Sequence, residues 1–392
     1  MSAAEKSFPA ARESGLGAAG LLLILLSDPL QALQVTGLIP ALTGLHQHFG
    51  SSGGIFGVQM LMSMPGLGIV LAGWPAGRLV ERFGPMPLLA AALPAYALSG
   101  AAGLAIDTLP GLLLSRFLLG CSTACIAGAA LSLVSESRVK SRLLSWQASL
   151  GALAGLLSLP PAGWLAETYG WRGPLLLYLL ALLAWPAALS RARLEPRRPT
   201  MRQAAAVVSS RRLWPGLLAA TLVFTVVFMR STHLPFLLAE SGLVRPTEQA
   251  WTLTLECLLA ALGALAFSGV ISRVAPRMCL ALCLLGMGLG NLLLSAGGML
   301  PLQLAGMVVS AAAAGFGGPC LAYLVLERAG PALRQRASGL LFTAIYLGDF
   351  INPMPTALLR HAFGLDGVFA GAGLACLIAG AAVVWHGRRR PA

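Results

Sequence analysis

The chain has 392 residues, of which 57% are hydrophobic and only 10% charged. A soluble domain carries about 25% charged residues, so this composition excludes a water-exposed globular fold and makes lipid the solvent. The net charge of +13 does not mark a nucleic-acid binder, because the Arg and Lys residues sit in short gaps between apolar runs and form no basic domain.

Residues 1–16 are short and polar. The first apolar run, from about 17 to 42, is too long for a signal-peptide core and lacks a small-residue cleavage site, so it is read as a spanning helix. Further runs follow at 53–76, 85–106, 109–134, 143–165 and 172–190. After a polar stretch come 213–237, 248–271, 277–297, 300–326, 335–359 and 366–386. Each reaches the roughly 20 residues that cross a bilayer. The expected fold is an all-α membrane protein of twelve transmembrane helices. They form two pseudo-symmetric six-helix bundles, 17–190 and 213–386, joined by a linker over 191–212 and followed by a tail over 387–392.

Positive charge orients the spans. One side holds Lys6, Arg12, Arg78, Arg82, Arg138, Lys140 and Arg142, the linker arginines, Arg273, Arg277, Arg328, Arg334, Arg336 and the tail Arg388–Arg390. The other side holds chiefly Arg172, Arg245 and Arg360. This asymmetry places both termini in the cytoplasm of a multi-pass protein of a bacterial inner membrane.

The two halves resemble each other. A single offset of 194 maps Arg142 on Arg336, Pro161 on Pro355, Gly170 on Gly364 and Gly173 on Gly367. Leu133-Val134-Ser135-Glu136 likewise matches Leu324-Val325-Leu326-Glu327 at the ends of the fourth and tenth spans. Internal duplication is a transporter signature, with substrate sites near the midplane between repeats.

The loop after the second span reads Gly77-Arg78-Leu79-Val80-Glu81-Arg82-Phe83-Gly84. It resembles the major facilitator superfamily signature Gly-x-Leu-x-Asp-Arg-x-Gly-Arg-Arg, with Glu81 for Asp and Pro85-Met86 for the last basic pair. Gly269-Val270-Ile271-Ser272-Arg273 is a degenerate copy after the eighth span. Arg116-Phe117-Leu118-Leu119-Gly120 is similar to the Arg-x-x-x-Gly motif of proton-coupled exporters in that superfamily. Gly151, Gly155, Pro160, Pro161 and Gly163 resemble the glycine/proline motif of its drug:proton antiporter branch, without the full Gly-Pro-x-x-Gly-Gly. The resemblance implies a secondary transporter that works by alternating access. It also implies that Gly77, Glu81, Arg82, Gly84, Gly269 and Arg273 form a conformational latch. Gly77 and Gly84 allow a tight turn, and Glu81 and Arg82 are expected to pair across the mouth.

Ionisable groups at membrane depth are costly and by default functional. Asp28, Arg116, Arg230, Glu256 and Asp349 lie at such depths. Asp28 is about 17 Å into the first span and Arg116 about 12 Å into the fourth from the other side, at 1.5 Å per residue. Those are similar depths, so the two are expected to pair. Asp28, Asp349 and Glu256 are the candidate proton-coupling carboxylates. Gln31, Gln34, Gln59, Arg116, Arg230, Asn291, Tyr346 and Asn352 are candidates for lining a substrate cavity, with Gln303 and Tyr323 weaker. Pro353 and Pro355 should open the eleventh helix beside Asp349.

His46 and His48 supply too few ligands for a metal. The seven cysteines, all inside apolar runs, read as small buried hydrophobes. No phosphate-cradling Gly-x-x-x-x-Gly-Lys-Ser/Thr motif occurs, and no nucleophile–base arrangement marks an enzyme. No cofactor is expected. The expected partners are a small-molecule substrate, protons and the bilayer around a monomer, with no nucleic acid. The reading is proton-coupled export of a small organic compound. The rivals are a proton-coupled uptake symporter for an organic anion and, in another class, a membrane-embedded enzyme or sensor.

Overall fold

The computed structural model describes residues 17–137, 139–194, 213–296, 299–329 and 334–388. The N-terminal segment, most of the linker and the end of the tail lie outside the described residues. The chain divides into two compact units, Met1–Ala206 and Val207–Ala392.

Unit 1 contains α1 (Gly17–Thr36), a 3-10 turn at Ile39–Ala41, α2 (Leu42–Phe83), α3 (Pro85–Ala101), α4 (Leu109–Glu136) and α5 (Lys140–Tyr169). A 3-10 stretch, Gly170–Leu183, leads into α6 (Trp185–Leu194). Unit 2 contains α7 (Trp214–Glu240), α8 (Pro246–Ile271), α9 (Pro276–Leu294), α10 (Leu300–Ala329), α11 (Arg334–Ile351) and α12 (Pro353–Arg388).

The twelve crossings do not coincide with the helix bounds. The first continues through Ile39–Ala41 to Gly50, and α2 breaks at Gly54, where the backbone turns to φ 59°. Apolar segments of 51 residues (Arg142–Ala192) and 49 residues (Ala337–Trp385) would each be over 70 Å long at 1.5 Å per residue. A hydrocarbon core of about 30 Å requires each to cross twice. They turn at Gly170 (φ 68°, ψ −167°) and at Gly364 (φ 71°, ψ −167°). These glycines are the pair related by the sequence offset, and only glycine adopts such a backbone without strain. The repeat is therefore present in backbone geometry as well as in sequence.

Packing repeats as well. In unit 1, α2 packs on α4 and α1 on α5; in unit 2, α8 packs on α10 and α7 on α11. At the α2–α4 crossing, a Cβ on Gly68 would lie 2.3 Å from the Phe117 carbonyl oxygen, and one on Gly120 would lie 2.0 Å from that of Pro65. At the α8–α10 crossing, Gly263 and Gly315 stand 2.0 Å and 1.8 Å from the carbonyl oxygens of Ala312 and Ala260 by the same construction. Small residues let helix backbones approach in lipid, where no hydrophobic force drives helices together. Gly120 of the Arg-x-x-x-Gly motif has this packing role.

The sixth crossing differs from the plain α-helix expected over 172–190. Its first fourteen residues are 3-10 helical. At three residues per turn, side chains three apart stack in line. Leu175, Tyr178, Ala181 and Ala184 are all buried and make that line, and the stretch packs on α3. This tight winding carries Tyr178 into the interior of unit 1.

Candidate functional site

The α1–α5 seam of unit 1 is built on small residues. Gly151 of α5 faces the Cβ of Asp28, and Gly155 faces Ala32 and Thr36. Asp28, Ala32 and Thr36 recur every four residues and so share one face of α1. Close approach brings polar groups across the seam. Gln147 Nε2 donates to an Asp28 carboxylate oxygen at 2.9 Å and lies 2.6 Å from Ser27 Oγ. The Thr36 and Ser158 hydroxyls meet at 2.6 Å. Asp28 itself is half-buried.

Arg116 does not join this seam. It is buried, donates from Nη2 to the Gly100 carbonyl at 2.9 Å, and lies 4.9 Å from the Tyr178 ring centre. No hydrogen bond or ion pair joins Asp28 to Arg116 among the described residues, which corrects the pairing expected from their depths. Arg116 sits in a polar layer inside unit 1. There Tyr96 Oη donates to the Leu30 carbonyl at 2.6 Å, Tyr178 Oη lies 3.4 Å from that of Gln34, and Thr123 donates to Gln34 Oε1. Arg116 Nη1 and Gln34 Nε2 are buried and have no partner among the described residues. Gln31 is half-buried on α1, and Gln59 is fully buried on α2.

In unit 2, Arg230 of α7 and Glu256 of α8 form an ion pair. Asp349 of α11 is 5% exposed and takes no hydrogen bond or ion pair among the described residues. Helix α11 ends two residues later, at Ile351, and α12 starts on Pro353. Asn352 between them is fully buried and donates from Nδ2 to Thr232 Oγ1 at 3.2 Å. Tyr346 packs on Phe342 with ring centres 4.8 Å apart. Asn291 of α9 donates to its own helix at the Met287 carbonyl, 2.8 Å away. Gln303 of α10 accepts from Ser241, and Tyr323 Oη lies 3.4 Å from Glu327.

The latch residues Gly77, Glu81, Arg82, Gly269 and Arg273 are exposed, and Gly84 caps α2 with φ 86°. No Glu81–Arg82 ion pair forms among the described residues. Adjacent helical residues point in different directions, and Arg82 lies 5.2 Å from the Phe83 ring centre instead.

A cluster that sequence reading overlooked lies at the opposite ends of the helices of unit 1. Asp107, between α3 and α4, holds His48 Nε2 at 2.8 Å and Arg172 Nη2 at 3.0 Å, and the His48 ring stands 5.4 Å from Trp171. Its hydrogen bond from His48, aided by the Arg172 charge, holds the Asp107 carboxyl below the usual carboxylate range. A groove of about 560 Å³ between α3 and α4, lined by Ala95, Leu98, Leu118 and Cys121 among others, contains none of the membrane carboxylates. Among the described residues, no cluster of three or more His, Cys, Asp or Glu is placed to bind a metal.

A sequence model of the Major Facilitator Superfamily matches residues 29–244 and again 237–392. The chain belongs to the Major Facilitator Superfamily. This superfamily's fold also appears among solved structures. A bacterial homologue of the human lysosomal transporter Spinster, inward-facing and unoccupied, has TM-score 0.76 and 17% identity, covering 98% of both chains. The same homologue in its occupied inward-facing form has TM-score 0.74 and 17% identity, covering 94% of this chain and 96% of that one. A single-residue mutant of the nucleoside transporter NupG has TM-score 0.68 and 16% identity, covering 92% of this chain and 99% of that one. No curated protein matches the sequence. The chain is thus a multi-pass membrane transporter of this superfamily, for a small-molecule substrate.

Proposed function

We propose that this transporter exports a small organic compound in exchange for protons, with Asp28 as the carboxylate that takes and releases the proton. The observation that carries this reading is the partner of Asp28. A neutral amide, Gln147, holds the carboxylate at 2.9 Å in a half-buried seam. Gln147 can donate to a charged carboxylate and, after rotation, accept from a protonated one. Both states then have a hydrogen bond, as a proton carrier requires. Glu256 is tied to Arg230, and leaving that pair would strand a buried arginine. Glu256 is therefore the less apt carrier.

The motifs resembling exporters support the direction of transport. The basic loops support cytoplasmic termini and an inner-membrane setting. The superfamily signature loop supports a switching role for Gly77, Glu81, Arg82, Gly84, Gly269 and Arg273. In everted membrane vesicles energised to an acidic interior, exported compounds should accumulate with the wild-type protein. Asp28→Asn should bind them and fail to accumulate them, because Asn keeps the shape and loses the titration. Accumulation by Asp28→Asn driven by protons alone would remove Asp28 from the coupling step.

A further inference from the structure

We propose that the break between α11 and α12 is a binding site for one alkali-metal cation, held by Asp349 and Asn352. The site is separate from the proton step assigned to Asp28 and stands whether or not that assignment holds.

Asp349 lies in the last turn of α11 and Asn352 just past its end. The Asn352 N–H still bonds the Gly348 carbonyl at 3.1 Å, so helical geometry continues to it and the two, three residues apart, share one face. Both are buried, Asp349 at 5% exposure and Asn352 at 0%. Asp349 brings a carboxylate with no hydrogen bond or ion pair among the described residues. Asn352 brings a buried amide oxygen, Oδ1, that likewise has no partner. The orientation of that amide follows from its neighbour. The Thr232 hydroxyl donates to the Phe228 carbonyl at 2.9 Å, so it can only accept from Asn352. The amide NH2 must face Thr232, which leaves the oxygen as the unpaired atom.

The backbone supplies further oxygens. Pro353 and Pro355 have no N–H, so the carbonyls of Asp349 and Ile351 lose their donors four residues on. Helix α11, 18 residues long, also ends here and presents the negative end of its dipole. Carboxylate, amide oxygen and open carbonyls are the donor set of a hard cation. Unwound backbone carbonyls at helix breaks are suited to such ions in membranes.

Charge selects the valence. The one arginine of α7, Arg230, is already paired with Glu256. One carboxylate then remains, and a monovalent cation neutralises it, whereas a divalent ion would leave a buried positive charge.

The test is direct binding of radioactive sodium (²²Na⁺) to the purified full-length protein in detergent at constant pH, with choline replacing sodium. Wild type should bind saturably, near one ion per chain, and sodium should raise its unfolding midpoint. Asp349→Asn should lose binding, and Asn352→Leu should weaken it at least tenfold. Asn352→Asp, which keeps an oxygen at the position, should retain binding, and this separates ligation from misfolding. Absence of saturable binding by wild type, or wild-type affinity in folded Asp349→Asn, would overturn the site. Sodium-free, proton-driven transport with no sodium binding would overturn this site alone and leave the export reading intact.

Discussion

At the residue scale, the polar groups in the membrane fall into two kinds. Arg230 and Glu256 pair with each other, whereas Asp28 and Asp349 have no cationic partner among the described residues. Removing half of a buried pair leaves a naked charge, so Glu256→Gln should destabilise by about 3–5 kcal/mol. Replacing both, as in Arg230→Met with Glu256→Leu, should recover much of that loss. Thermal unfolding of the purified variants in detergent checks both, and equal losses in the single and double variants would contradict the pairing. Outside the membrane, Asp107 gives a pH prediction. Its carboxyl is held below the usual range by His48 and Arg172, so its stabilisation exists above the ordinary carboxylate value. That stabilisation disappears only as pH falls through the lowered folded value, and the cluster should survive to about pH 5. Hydrogen-exchange protection around Trp171, taken relative to the intrinsic rate at each pH, should be flat down to that pH in wild type and lower throughout in Asp107→Asn. Sequence alone located the membrane charges but mispaired Asp28. Rise per residue gives depth, while the direction a side chain faces depends on helix rotation, which depth does not determine. The Asp107 cluster was invisible for another reason: its His48 contact joins a helix to the α3–α4 connection 59 residues on.

At the element scale, the twelve apolar runs were legible because hydrocarbon thickness dictates their length. The prolines beside Asp349 likewise announced the break after Ile351. The 3-10 start of the sixth crossing was not legible. An apolar run of fourteen residues has no periodicity to separate three residues per turn from 3.6, and only packing against α3 decides it. The glycine crossings yield a paired prediction. Gly120→Ala and Gly315→Ala should each cost about 1–3 kcal/mol by overpacking, since their Cβ atoms would meet backbone carbonyls within 2.0 Å. Gly73→Ala on α2 has nothing within 4 Å of its new Cβ and should be nearly neutral in unfolding measurements. Helix propensity alone would stabilise all three variants, so a loss in Gly73→Ala as large as in the other two would contradict close approach as the cause.

At the scale of the whole molecule, the repeat organises the scaffold. Gly170 and Gly364 adopt nearly the same backbone angles 194 residues apart, and the same helix pairs cross on the same kind of glycine contact. The proposed functional groups do not follow the repeat. Asp28 and Gln147 mark the α1–α5 seam, whereas Asp349 and Asn352 mark the α7–α11 region. A duplicated scaffold with unlike sites in its halves suits a carrier in which one half couples the driving ion and the other has a separate task. Orientation is testable by reporter fusions within 191–212 and at the tail, both of which should report cytoplasm. Proton exchange through Asp28 can be measured in reconstituted protein. Proteoliposomes enclosing a pH-sensitive dye are exposed to a library of small organic compounds. Some compounds should move protons with the wild-type protein, and the same compounds should move none with Asp28→Asn. Compound flux without any proton movement, or equal proton movement in both proteins, would contradict it.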